Sequence, residues 1–162
     1  MKKDISTPEI DDFDYALLNL LQKDGRATNV KIANSLNLSE TPCWRRLKRL
    51  EEHGIIKGYH ANLNRYLLGF DILAFVQVFS ERHTDDSLYQ FEQAVKEIPE
   101  ILSCHNITGD ADYLLQIVTK NLDTYEKLLR KVIRRLPGVT SIKTSISLRE
   151  IKDSKELPLT NI

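Results

Sequence analysis

Arg45, Arg46, Lys48 and Arg49 crowd together in the segment from Ser39 to Gly54, directly after a short apolar stretch and a tight turn. Basic side chains at that density suit contact with phosphate. At ~100° per residue in a helix, Cys43, Leu47 and Leu50 share one narrow stripe, while Thr41, Pro42, Arg45, Lys48 and Arg49 gather on the opposite half. One face suits a core, the other phosphate and base edges. The candidates for DNA contact are therefore Ser39, Thr41, Pro42, Arg45, Arg46, Lys48 and Arg49. Standing alone, such a helix could be a plain solvated face. What precedes it in the chain decides between the two readings.

Two helices are expected ahead of it. Asp11 or Asp12 can cap the first, in which Phe13, Ala16, Leu17, Leu20 and Leu21 follow the spacing of one helical face, and Gly25 is placed to end it. Thr28 or Asn29 can cap a short second helix with Val30, Ile32, Ala33 and Leu36 inward, which breaks at Asn37-Leu38 before Ser39 caps the third. Pro42 lies in the first turn of that third helix, where a missing N–H removes no internal hydrogen bond. Helix, tight turn and basic helix make a helix-turn-helix, and residues 55–61 offer a β-rich extension that could form a wing. Trp44 lies at the edge of the two faces and is expected to pack on a neighbouring helix, with Cys43 as core filler.

The second half changes character after Leu67-Leu68-Gly69. Ile72 to Phe79 is a nearly unbroken apolar, β-forming run; Leu88, Phe91, Val95 and Ile98 define a helix capped by Thr84 or Asp85 and closed by Pro99. Ile101 to Thr108 and Tyr113 to Thr119 read as strands joined across Gly109-Asp110-Ala111-Asp112. Leu122, Tyr125, Leu129, Val132, Ile133 and Leu136 define another helix, and Val139 to Leu148 a last strand. The order β-α-β-β-α-β is a ferredoxin-like plan, so the chain reads as α+β: a winged helix-turn-helix over 1–63, a linker over 64–71 and a ferredoxin-like domain over 72–162.

Composition sets the outer limits. With 23 basic and 23 acidic side chains the chain is neutral, so any DNA affinity must come from local clustering. Its 162 residues at 41% hydrophobic content are enough for real cores. No apolar run approaches the ~18 residues of a membrane span, and the first residues lack a signal peptide's apolar stretch, which leads us to expect a cytoplasmic protein without a membrane partner. Two cysteines on separate elements fit a reducing compartment, and no His or Cys lies at ligand spacing from Cys43, so neither a metal nor a cofactor is expected. Two helices cover only one face of a four-stranded sheet, yet Phe75 and Phe79 oppose Ala74, Val76 and Val78 on the first strand. A homodimer through this domain is the economical way to cover the other face, and it would pair two recognition helices for half-sites ~34 Å apart on double-stranded DNA.

The motifs Asp24-Gly25-Arg26, Leu38-Ser39, Thr41-Pro42-Cys43, Arg46-Leu47, Arg49-Leu50-Glu51, Gly54-Ile55-Ile56, Gly58-Tyr59, Gly109 through Leu115 and Leu136-Pro137-Gly138-Val139 occur in order along almost the entire chain. Together they resemble the Lrp/AsnC family of bacterial and archaeal transcription regulators. The resemblance implies a winged helix-turn-helix that binds DNA and a ferredoxin-like effector-binding and oligomerisation domain that dimerises, assembles further into octamers and binds a free amino acid as effector. It also implies an effector site between dimers, near the hairpin carrying Gly109, Asp110, Asp112 and Tyr113 and near the last strand. The candidate effector residues are these four with Leu122, Ser145 and Ser147.

An acidic loop suits an α-amino group, and backbone N–H groups around Gly109 suit a carboxylate. The alternatives are that Gly109 and Asp110 merely make the turn, or, ranked last, that Asp110 and Asp112 form a metal site. In the last strand Ile142, Thr144, Ile146 and Leu148 alternate with Lys143, Ser145, Ser147 and Arg149, so that one face goes under the helices and the serines lie toward the partner side. Leucine-responsive relatives carry bulkier residues at the two serines, which points away from leucine and toward a smaller, more polar or sulfur-containing amino acid. A different class shares the two-domain plan: the sirohaem decarboxylases, which resemble this family and would need positioned His and Arg residues. His53, His60, His83 and His105 are scattered, and the retained basic helix argues for DNA over enzyme chemistry. An architectural DNA-binding protein without an effector is the third reading.

Overall fold

The computed structural model describes residues 9–80 and 85–159, and the chain divides into two compact units: residues up to Asn62 together with those from Asp153 onward, and Leu63–Lys152. The return of the C-terminal segment to the first unit had no signal in the sequence. Gln22 holds it by its side-chain amide, donating to the Leu157 carbonyl at 3.2 Å and accepting from the Leu157 N–H at 2.6 Å, and Asn19 donates to the Leu159 carbonyl at 3.0 Å.

In the first unit, helix α1 (Asp12–Lys23) starts on a capping box in which Asp11 accepts from the Asp14 N–H and Asp14 accepts from the Asp11 N–H. Thr28 caps α2 (Asn29–Ser35) by accepting from the Lys31 N–H at 3.2 Å. Between α2 and α3 (Glu40–Glu52) the chain turns on Asn37 at φ 53°, with the Leu38 N–H on the Ala33 carbonyl and the Asn37 N–H on the Asn34 carbonyl. This is a Schellman closure with asparagine in the left-handed position, and it sets the tight turn of the helix-turn-helix. Gly54 repeats the device after α3 at φ 69°, its N–H on Glu51 and that of Ile55 on Leu50. Leu17, Ile32, Ala33, Cys43 and Leu50 form the buried core.

Several local expectations need revision. Phe13 and Val30 are about half exposed and Asp14 is buried in their stead, because the stripe of α1 that meets the core runs through Asp14 and Leu17. Trp44 is half exposed and has the Lys48 ammonium 5.1 Å from its ring centre, a cation–π contact within α3. Ser39 occupies the N-cap position without a side-chain cap bond. Pro42 stands at the third helical position, where a capping hydroxyl would look for an N–H, and proline has none. Residues 57–64 carry no helix or strand assignment, so the expected β-rich extension is not a strand within one chain.

The second unit is a four-stranded antiparallel sheet in the order β2-β3-β1-β4, built from β1 (Ile72–Ser80), β2 (Ile101–Asn106), β3 (Tyr113–Thr119) and β4 (Val139–Ile146). Helix α4 (Asp85–Lys96) follows β1, and α5 (Leu122–Lys131) with a 3-10 turn at Ile133–Arg135 follows β3. Asp85 is the first residue of α4, and Thr84, the other expected cap, lies outside the described residues. Ala74, Val76 and Val78 of β1 with Tyr113, Leu115 and Ile117 of β3 meet Phe91, Val95, Tyr125, Leu128 and Ile133 in one core. Thr144 shares that face, its hydroxyl 2.8 Å from the Tyr125 hydroxyl. The opposite face carries Phe75, which stands beside Gln116 and Ser145, and Gln77, which stands beside Leu114 and Lys143. Phe75 is 39% exposed there, so within a single chain the middle of that face is open, while Leu73 at the start of β1 and its neighbour Val118 are buried on it.

Candidate DNA-binding and effector-binding sites

The helix-turn-helix core presents one side of α3 to solvent. Ser39, Thr41, Pro42, Arg45 and Lys48 are exposed, and among the described residues the ion pair of Lys48 is a long one, 3.6 Å, with Glu52. No ion pair is found for Arg45 among the described residues. At the helix start the Ser39 hydroxyl is unused in capping, and the leading N–H groups of a helix carry partial positive charge. Hydroxyl, helix N-terminus and Arg45 together can receive a phosphate, while Thr41 and Pro42 stand at the same tip.

Arg46 and Arg49 are placed differently. Arg46 donates to Asp11 Oδ2 at 2.6 Å and to Asp14 Oδ1 at 3.0 Å, and its guanidinium lies 5.4 Å from the Phe13 ring centre; Arg49 donates to Asp14 Oδ2. The Asp14 side chain is wholly buried. Burial pushes the Asp11 carboxyl up, but its bonds from the Asp14 N–H and from Arg46 outweigh that and hold it below its ordinary value; Arg46 is raised, chiefly by Asp11. Asp11, Pro42, Arg45, Arg46 and Arg49 line a shallow hollow of about 280 Å³. Of the seven residues expected at DNA, five stand free on α3 and two are tied back to α1. Asp14 is the residue that spacing alone did not single out. An acid on the apolar stripe of α1, three residues before Leu17, was the available sign of a buried charge pair.

In the second unit, the hairpin tip holds Gly109 at φ 116° and Asp110, both exposed. Asp112 has a structural part: its carboxylate accepts the Ser80 N–H at 2.8 Å, its N–H donates to the Val78 carbonyl at 3.0 Å, and its own carbonyl receives the Ile107 N–H and the Asn106 amide. Tyr113 is buried, with its ring centre 4.5 Å from that of Phe91. Burial, and then the Glu92 charge, push its hydroxyl up, and the same two causes raise the Cys104 thiol. Tyr113, Glu92 and Cys104 line a hollow of about 350 Å³ between α4 and β2.

Leu122, Ser145 and Ser147 belong to the other end of the sheet. Tyr113 pairs with Val78, whereas Ser145 pairs with Phe75 and the Ser147 N–H donates to the Leu73 carbonyl at 2.8 Å. Leu122 opens α5, 58% exposed, just beyond Thr119, the partner of Ile72. One chain therefore gathers Gly109, Asp110, Asp112 and Tyr113 near one end of β1, with Ser147 and Leu122 near its opposite end and Ser145 beside its middle. Among the described residues no group of three His, Cys, Asp or Glu side chains could hold a metal ion, and no helix is long and apolar enough to cross a membrane.

Comparison with known proteins matches both units. A winged helix-turn-helix DNA-binding model covers residues 10–57, and an Lrp/AsnC ligand binding domain model covers 73–157. The leucine-responsive regulatory protein of Escherichia coli K12 is 42% identical over 149 residues, 92% of this chain and 91% of that protein. A transcriptional regulator from Neisseria meningitidis, solved as a complex with L-Met, superposes with a TM-score of 0.88 at 35% identity, covering 93% of this chain and 97% of that one. An AsnC family transcriptional regulator from Agrobacterium tumefaciens superposes at 0.87 with 30% identity over 93% of this chain and 97% of that one. Two domains, each matched in sequence and in fold, with relatives that are regulators and not enzymes, establish that this chain belongs to the Lrp/AsnC family of transcriptional regulators.

Proposed function

We propose that the protein is a cytoplasmic, sequence-specific DNA-binding regulator that acts as a homodimer, assembles further toward an octamer, and changes its assembly or DNA affinity when a free amino acid binds. The observation that carries the reading is the open side of α3, where Ser39, Thr41, Pro42, Arg45 and Lys48 project together from a rigid, doubly Schellman-closed frame. Pairing is supported by the face of the sheet left uncovered by α4 and α5, with Phe75 at its centre. Dimerisation also supplies the second recognition helix that a two-fold site needs.

The separation of Gly109, Asp110, Asp112 and Tyr113 from Leu122, Ser145 and Ser147 supports an effector site completed by another copy of the chain. A ligand bound between copies binds one assembly better than another, and that differential affinity, typically ~1 to 3 kcal/mol, is all the coupling requires. Serines at 145 and 147, and the L-Met held by the Neisseria regulator, favour methionine or a comparable small or sulfur-containing amino acid over leucine. The test is a gel shift on the upstream DNA of the protein's own gene at fixed salt, with and without each amino acid. Specific binding altered by one amino acid supports the sensor and names its ligand. Specific binding indifferent to all of them removes the effector part, and no specific binding overturns the regulator reading.

A further inference from the structure

A carboxylate with no exposed surface joins the first turn of α1 to the middle of α3. Asp14 receives Arg46 at 3.0 Å on one oxygen and, on the other, both Arg49 and the Asp11 N–H, the last at 3.1 Å; Asp11 takes Arg46 at 2.6 Å. Two carboxylates and two guanidiniums make a cluster of zero net charge that reaches across 32 to 35 residues of sequence. For Arg46 or Arg49 to turn to a phosphate it would have to give up a charge-assisted bond to a buried anion and leave that anion to the other guanidinium alone, a cost that a contact made at a wet interface does not return.

We propose that Asp14 is a positioning residue for DNA reading: it holds Arg46 and Arg49 against α1, fixes the roll of α3 about its own axis, and leaves Arg45 and Lys48 as the cations of α3 that neutralise phosphate. This rests on the reading of α3 as the DNA-recognition helix. The roll matters because the same rotation carries Thr41, Pro42 and Arg45, so a looser α3 presents its reading tip at varying angles. Specific binding then suffers more than non-specific binding, which needs only charge.

The test measures binding of the full chain to its own upstream DNA and to random-sequence DNA over a range of salt concentrations. Arg45→Ala should lower the salt slope by ~0.9 for each phosphate that goes unneutralised, whereas Arg46→Ala and Arg49→Ala should leave the slope of the folded protein near that of the wild type. Asp14→Asn, of nearly the same shape, releases Arg49 and leaves Arg46 held by Asp11 alone: the slope should rise, and the ratio of specific to non-specific affinity should fall roughly tenfold, the scale of one mismatched base pair. A merely structural role would lower the active fraction without moving either the slope or the ratio. Should Asp14→Asn not fold, Asp11→Asn, at the half-exposed end of the cluster, should shift both quantities in the same direction by less. Slopes lowered by Arg46→Ala or Arg49→Ala as much as by Arg45→Ala overturn the inference, as does an unchanged slope and ratio in the folded Asp variants. Absence of DNA binding by the wild type itself would instead remove the reading beneath it.

Discussion

Leu50→Ala should separate the two units. Leu50 is 1% exposed and meets Leu17, Ile32, Ala33 and Cys43, the whole of the fully buried core of its unit. Removing three carbons forfeits about 2.4 kcal/mol of transfer free energy, and the cavity left behind brings the cost to about 3 to 5 kcal/mol. A unit of about 70 residues commands only about 4 to 10 kcal/mol in total, so the substitution consumes most of its stability and lowers its melting temperature by roughly 12 to 40 °C. Trp44, the single tryptophan, lies on α3 and reports this unit, while amide exchange of β1 and β3 reports the other. The expected result is early loss of the tryptophan signal and of DNA binding in urea, with the strand amides still protected. A shift under 1 kcal/mol would refute the packing argument, and simultaneous loss of both signals would refute the independence of the units.

Three further outcomes follow from local geometry. Burial, and then the hydrogen bond to Glu51 at 2.9 Å, push the Tyr59 hydroxyl up to about 12 from its ordinary 10, so the stability it adds is complete below pH 10 and lost as pH rises through about 12. The difference between the alkaline absorbance titrations of wild type and Tyr59→Phe should therefore show a step near 12, and a step near 10 would contradict the contact. Burial raises both thiols, and Cys43 is fully enclosed while Cys104 is half buried: a thiol reagent at pH 8 should label Cys104 slowly and Cys43 only on opening of its unit, faster in Leu50→Ala. Asn37→Val forces a β-branched side chain into the left-handed turn between α2 and α3 and should cost ~1 to 2 kcal/mol by urea denaturation, whereas Asn37→Gly should cost little or nothing; equal losses would show that φ 53° is not what the turn requires.

How much of this was legible in the residues depends on the range of the physics involved. Period and punctuation are local, so the helix-turn-helix, the βαββαβ order and the sides taken by Thr144 and Ser145 could be read from Leu17, Ile32, Leu50 and the alternation of the last strand. The exceptions arise where two signals compete for one position. Pro42 removes the N–H that Ser39 would have capped, and a helix start that looks closed in sequence is open in space. The last turn of the second long helix tightens at Ile133–Arg135, where periodicity alone continues the α-helix to Leu136. Strand β2 ends at Asn106, whose amide turns back to the Asp112 carbonyl to build the hairpin that pattern would have extended to Thr108.

Longer range is where spacing fails, and it fails in opposite ways at the two candidate sites. On α3 the sequence overstates the available charge, because a helical wheel sorts side chains by direction but says nothing of partners 32 or 35 residues away; two of the four cations are already matched by Asp11 and Asp14. At the sheet it overstates the completeness of a site, since Gly109 through Tyr113 sit near one end of β1 while Leu122 and Ser147 sit near the other and Ser145 beside its middle. The two failures bear on one mechanism. A chain of zero net charge cannot hold DNA by its overall field, and with Arg46 and Arg49 neutralised it has few unpaired cations on each recognition helix. Under the proposed assembly, affinity would come from the number of recognition helices engaged at once, which is the quantity that an amino acid bound between copies would change. Weak charge on each helix is thus the condition under which assembly can control occupancy.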